Sequence, residues 1–162
     1  MIFSKMNYKS AFLSICLLLM ISYHGYSQHM NNEKLGSIIT TVGDSINHSS
    51  EGVWEFKYLD RYMIVITDQN NNRMRIITPI VKADKVKRKI IDECMKANFD
   101  RALDVKYAIS NDIIWSVFAH PLRELSENQA KDAILQVYTA AKNFGSTFTS
   151  THLVFGGGNK KQ

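Results

Sequence analysis

Cysteine, proline and glycine are all scarce here: two, two and eight of 162 residues. Cys16 falls in an apolar N-terminal run, which leaves Cys94 alone in the rest of the chain. Once that run is removed, no intramolecular disulfide can form, even in a compartment that permits one. Cys94 sits on an apolar helical stripe with Ile90 and Ala97, where a buried thiol is the ordinary expectation. Pro79 and Pro121 each fall at the end of a strand pattern rather than in a linker. The glycine run at 156–158 precedes no helix, so it is no phosphate cradle. Gly-x-Ser-x-Gly is missing. Beyond residue 27 the histidines are His29, His48, His120 and His152. None stands at metal-ligand spacing from another histidine, a cysteine or a carboxylate. His120, beside Pro121 and near Arg123, reads as a strand terminator. A catalytic role would require a cleft where it meets a carboxylate or Cys94. No catalytic residue, metal or cofactor is expected.

Long apolar runs are also missing, with one short exception at 11–21 (AFLSICLLLMI). It is about half the roughly 20 residues needed to cross a bilayer. Lys5 and Lys9 precede it, and Gly25, Tyr26 and Ser27 follow. This is the layout of a secretory signal peptide cut between Ser27 and Gln28. Apolar residues continue past Cys16, which argues against a lipidated cysteine. The expectation is a leader at 1–27, one domain at 28–155 and a flexible tail at 156–162, in a periplasmic or secreted protein with no stable membrane anchor. Losing Lys5 and Lys9 lowers the basic count from 20 to 18 against 15 acidic residues, for a net charge of +3. That charge gives no strong pull toward nucleic acid.

What remains has ordinary globular composition, 45% hydrophobic and 22% charged. Leu35, Ile38, Ile39, Val42 and Ile46 recur at helical spacing behind Asn31 or Asn32, which can cap the helix. The stretch 47–52 (NHSSEG) should end it. In 53–59, Trp54, Phe56 and Tyr58 alternate with Glu55 and Lys57, as on a strand with one wet face. The stretch 62–67 (YMIVIT) is apolar on both faces, as in a central strand. A loop at 68–72 leads to a third strand at 73–80, which Pro79 should end or confine to an edge. Asp84 can cap a second helix to about Asn98, with Val86, Ile90, Ile91, Cys94, Met95 and Ala97 facing inward. Lys85, Lys87, Arg88 and Lys89 crowd its N-terminal half. That is either a solvated face or a site for an acidic partner. A hairpin follows at 103–119 around Ser110, Asn111 and Asp112. Ser126 and Gln129 then form a capping box opening a third helix, which Gly145 ends. Phe148, Leu153, Val154 and Phe155 are candidates for a further extended segment. The fold expected is α+β: an antiparallel sheet of about five strands in the order α-β-β-β-α-β-β-α, with helices covering one face and the other partly open.

In the second helix and the strand after it, Ala97-Asn98-Phe99 closes the helix and Ala102-Leu103-Asp104-Val105-Lys106-Tyr107 begins the strand. With the element order, this resembles the type III secretion chaperone-like domains, including the YbjN-like proteins, over residues 32–145. The resemblance implies a small non-enzymatic domain, often a homodimer, that binds an extended segment of a partner through apolar surface. Such chaperones are typically acidic and cytoplasmic, whereas this chain is mildly basic and carries an export signal. A borrowed fold in the cell envelope fits better than a dedicated effector chaperone.

Arg73 and Arg75 are two residues apart on one strand and so share a face. Beside Trp54 or Tyr58 that face can hold an anionic or extended ligand, or it is simply solvated. Trp54 and Trp115 are core residues unless a sheet face is open, in which case either can anchor a partner. The candidate partner-binding residues are therefore Trp54, Phe56, Tyr58, Arg73, Arg75 and Trp115, in an exported peptide- or protein-binding module. The alternative is a periplasmic carrier of a small apolar ligand, with an enclosed cavity lined by Met63, Ile64 and Val137.

Overall fold

The computed structural model describes residues 29–153. The expected leader and tail, with Val154 and Phe155, lie outside them. Helix α1 spans Asn32–Val42. The Asn31 side chain accepts from the Lys34 N–H at 2.9 Å, and Glu33 suits the positive end of the helix dipole. Leu35, Ile38 and Ile39 face the core. The stripe does not run on to Ile46. At Gly43 the chain passes so close to Phe56 that a Cβ would lie 2.5 Å from the ring. Ser45 then takes a positive φ of 53°, and Asp44–Ser50 returns as strand β1. All seven of its residues are exposed. A polar strand has no buried face, so it leaves no period-2 signal to read.

Strands β2 (Val53–Tyr58), β3 (Arg61–Asp68) and β4 (Arg73–Lys82) form an antiparallel meander. After it a 3-10 turn, Ala83–Lys85, replaces the expected helix start at Asp84. Helix α2 begins only at Arg88 and runs to Asp100, without a side-chain cap. Strands β5 (Val105–Ser110) and β6 (Ile113–His120) form the hairpin. Asn111 and Asp112 both carry positive φ, 49° and 58°, as a two-residue hairpin turn requires. Helix α3, Glu127–Lys142, opens with the reciprocal Ser126–Gln129 capping box.

The six strands lie in the order β1-β2-β3-β4-β6-β5, antiparallel throughout. The fold class is α+β as expected, with β1 as an added strand. Pro79 neither ends β4 nor sits on an edge, because β4 lies between β3 and β6. The register shifts between Pro79 and Val81, so Pro79 sits beside a bulge, where a residue without an N–H is tolerated inside a sheet.

One sheet face carries the core. Trp54, Phe56, Met63, Val65, Met74, Ile76, Val105, Tyr107 and Phe118 pack against Leu35 and Ile39 of α1 and Ala130, Ala133, Ile134 and Val137 of α3. Buried hydroxyls tie α3 to the sheet: Ser116 donates to the Val137 carbonyl at 2.9 Å and Tyr107 to the Ala140 carbonyl at 2.8 Å. Satisfied this way, they cost little to bury. The segment after α3 tucks Phe148 into the core, and the Ser150 hydroxyl donates to the Ala102 carbonyl at 2.8 Å. It forms no extended strand up to Leu153, which is exposed.

Candidate protein-binding surfaces

Strand parity puts every second residue on the face away from the helices. Across that face one row reads Glu55, Ile64, Ile77, Val117, Lys106, another Val53, Ile66, Arg75, Ala119, and a third Pro79, Trp115, Ala108. Tyr62 lies on the same face and is 48% exposed, and Ile66 is 36% exposed. Ile64, Ile77, Pro79, Trp115 and Val117 are half-buried among their neighbours, with no described helix over them. The result is a contiguous apolar surface with charged groups around it. The Glu55 carboxylate, as hydrogen-bond acceptor, pushes the Tyr62 hydroxyl up to about 12.

The six anticipated binding residues divide between the two faces. Arg73, Arg75 and Trp115 are on the open one. Trp54 is 6% exposed and Phe56 0%, both beneath the helix layer, so neither side chain is available to a partner in this arrangement. Tyr58 shares their face and meets Tyr138 of α3 edge-on at 5.6 Å. The two arginines therefore do not stand beside Trp54 or Tyr58. Arg75 pairs with Ile66, which pairs with Val53, and all three point away from Trp54. Alternation in sequence shows which residues share a face but not which face the helices choose. The Trp115 indole N–H donates to the Ser110 carbonyl at 3.1 Å, which holds the ring at the β5–β6 end of the surface.

A second apolar surface lies where α2 meets edge strand β5. Met95, expected inside, is 64% exposed, Phe99 is 89% exposed and Ile109 is 53% exposed. Ile91, Met95 and Phe99 recur every four residues, so α2 carries one apolar stripe inward at Cys94 and Ala97 and another outward. A groove of about 210 Å³ between helix and strand is lined by Ile91, Cys94, Met95, Tyr107, Ala108, Ile109 and Ile114. The outward stripe was legible as spacing. Spacing alone does not tell an apolar stripe that packs onto its own domain from one that faces away.

Asn98 explains the Ala97-Asn98 pair. Ala97 is fully buried, while the Asn98 amide accepts from the Tyr107 N–H at 2.7 Å and donates to the Tyr107 carbonyl at 3.1 Å. It thus stands in for a missing neighbour strand at the sheet edge. Asn98→Ala leaves both groups unpaired and should lower stability by roughly 1–3 kcal/mol, read as a shifted urea midpoint with unchanged slope.

The groups on which an enzymatic reading depended stay apart. Cys94 faces Ile114, whereas His120 ends β6 six residues further on, about 20 Å along the strand. The His120 Nδ1 lies 2.7 Å from the Pro121 carbonyl and the ring stacks on Phe118. Burial pushes the Cys94 thiol up to about 11, which keeps it neutral and unreactive at physiological pH. Among the described residues no group of three or more His, Cys, Asp or Glu is placed to hold a metal. Met63 and Val137 are fully buried in the shared core while Ile64 lies on the opposite sheet face, so the three do not line one cavity. Lys85, Lys87, Arg88 and Lys89 are all exposed, and Arg88 pairs with Asp92 at 2.9 Å. A further concavity, about 570 Å³, lies between α1 and the 122–127 loop, and its walls include Glu33, Lys34, Ser37, Thr41, Arg123 and Glu124.

No protein-family model and no curated protein matches the chain. Among solved structures, a chain of the HopA1-SchA chaperone-effector complex superposes with a TM-score of 0.51 at 9% identity, covering 67% of this chain and 95% of that one. At that identity what is shared is the fold: an antiparallel sheet with helices on one face.

Proposed function

We propose that this chain is an exported, non-enzymatic module that binds a protein or peptide segment on its bare sheet face and pairs with a second copy through α2 and β5. The observation that carries the reading is the apolar surface of Tyr62, Ile64, Ile66, Ile77, Pro79 and Val117, which no described helix or strand covers, opposite a complete core. Soluble monomers seldom leave so many neighbouring apolar side chains in water unless the surface binds something. A chaperone-effector complex built on the same fold supports a polypeptide as the occupant. Pairing of two copies is supported by Met95, Phe99 and Ile109, whose exposure on one stripe and one edge is hard to reconcile with a lone protomer. The Ala97-Asn98 pair supports kinship with the YbjN-like proteins. Export rests on the leader at 1–27. Just beyond the proposed cut the chain is tied to the domain, with the Met30 N–H donating to the Arg123 carbonyl at 3.2 Å. A periplasmic or secreted location follows.

The test is photocrosslinking in the producing cell, with a photoreactive amino acid replacing Ile77 or Val117, and Leu135 of α3 as the exposed control off this face. Discrete protein adducts are expected at 77 and 117. Adducts no stronger there than at 135 sink the reading.

A further inference from the structure

Resting on the open-face reading above, we propose that the segment bound there is an amphipathic helix whose flanks carry carboxylates. The first argument is hydrogen bonding. Strands β4 and β6 each have a bonded neighbour on both sides, so their backbone groups are taken. An extended segment laid on this face would find no ladder to join and would leave its own N–H and C=O groups unpaired. A helix brings its backbone bonds with it.

Dimensions agree. Strands β3, β4, β6 and β5 span three strand spacings, about 15 Å, a seat for one helix of roughly 10 Å diameter. Ile64, Ile77 and Val117 line up in register across its middle.

Charge then selects the partner. The strand positions on this face hold five cations, Lys57, Arg73, Arg75, Lys82 and Lys106, against three carboxylates, Asp44, Glu55 and Asp68. Asp44 lies at the β1 edge opposite Lys57, and the other two are engaged locally. Asp68 accepts from the Asn71 N–H at 2.9 Å and its Nδ2 at 2.7 Å, and Glu55 accepts from Asn47 at 3.4 Å. Arg73 and Arg75 form no ion pair among the described residues. The same face of a second copy carries the same sign. Segments 1–28 and 154–162 of this chain bring Lys5, Lys9, Lys160 and Lys161 and no Asp or Glu. Neither complements the rim, whereas glutamates flanking an apolar stripe do.

The experiment uses the intact exported protein and two labelled 18-residue helical peptides with one shared Leu/Ile face, flanked by Glu in one and Lys in the other. Fluorescence anisotropy should show the Glu helix binding roughly ten-fold tighter, a preference that shrinks as salt rises. Arg73→Glu with Arg75→Glu, both at exposed positions, should invert the order, and Ile77→Asp should weaken both peptides. Equal binding of the two peptides overturns the carboxylate requirement and leaves the open-face reading standing. Binding of neither overturns both. A Glu preference that survives the double arginine variant places the contact elsewhere and overturns the proposal. So does displacement of the bound Glu helix by phosphatidylglycerol vesicles with which the protein sediments, which would make the partner a membrane surface.

Discussion

Phe56→Ala should destabilise the domain by about 3–5 kcal/mol, enough to leave much of it unfolded at physiological temperature. Phe56 is fully buried, pairs with Met63 across β2 and β3, and fills the space that Gly43 leaves by having no side chain. Removing the ring deletes buried carbon and opens a cavity between α1 and the sheet that the backbone at Gly43 cannot close. Thermal or urea denaturation followed by circular dichroism measures the loss. A Phe56→Ala protein that melts with the wild type would mean that the ring faces outward and the helix layer lies on the other side of the sheet. Trp115→Ala is the informative contrast. Trp115 is on the open face and half-buried, so its loss should weaken partner binding more than folding.

Met95→Asp combined with Phe99→Asp should turn a dimer into monomers. Both side chains are largely exposed on the outward stripe of α2, so the substitutions leave the core untouched and the circular dichroism spectrum should not change. Anchors of this type at the middle of an interface are worth about 2 kcal/mol or more each. Introducing two charges there should raise the dissociation constant at least several hundred-fold. Sedimentation velocity on wild type and variant gives the answer directly. A wild type that sediments as a monomer at all accessible concentrations removes the pairing, while the reading of the open sheet face, which involves other residues, is unaffected. The two surfaces are therefore separable: Ile77→Asp should abolish partner binding in a protein that still dimerises.

Much of the architecture could be read along the chain because each element announces itself locally. The alternation of Trp54, Phe56 and Tyr58 marks β2, the Ser126–Gln129 box marks the start of α3, and Asn111-Asp112 marks the final turn. The misreadings have local causes too. Strand β1 is exposed throughout and has Ile46 as its one apolar residue, so no periodicity separates it from a loop. Pro79 looked like a strand end because a bulge, which accommodates it inside β4, depends on the partner strand's register. The Asp84 cap failed because the chain tightens into a 3-10 turn, with the Ala83 N–H donating to the Asp112 carbonyl at 2.8 Å, before α2 begins.

By itself, the amino-acid order determined most of the helices and strands, the pairing of residues into faces and the single cysteine beyond residue 27, because each is read from neighbours within a few positions. Only the tertiary structure decided which face of the sheet the helices cover. Trp54 and Phe56 thereby went into the core, and Arg73, Arg75 and Trp115 were left on the surface. The same packing turned Met95 and Phe99 outward. The reason is that a strand's two faces are equivalent along the chain until helices from far away dock on one. That docking is set by long-range packing of α1 and α3 against the whole sheet, which no window of sequence contains.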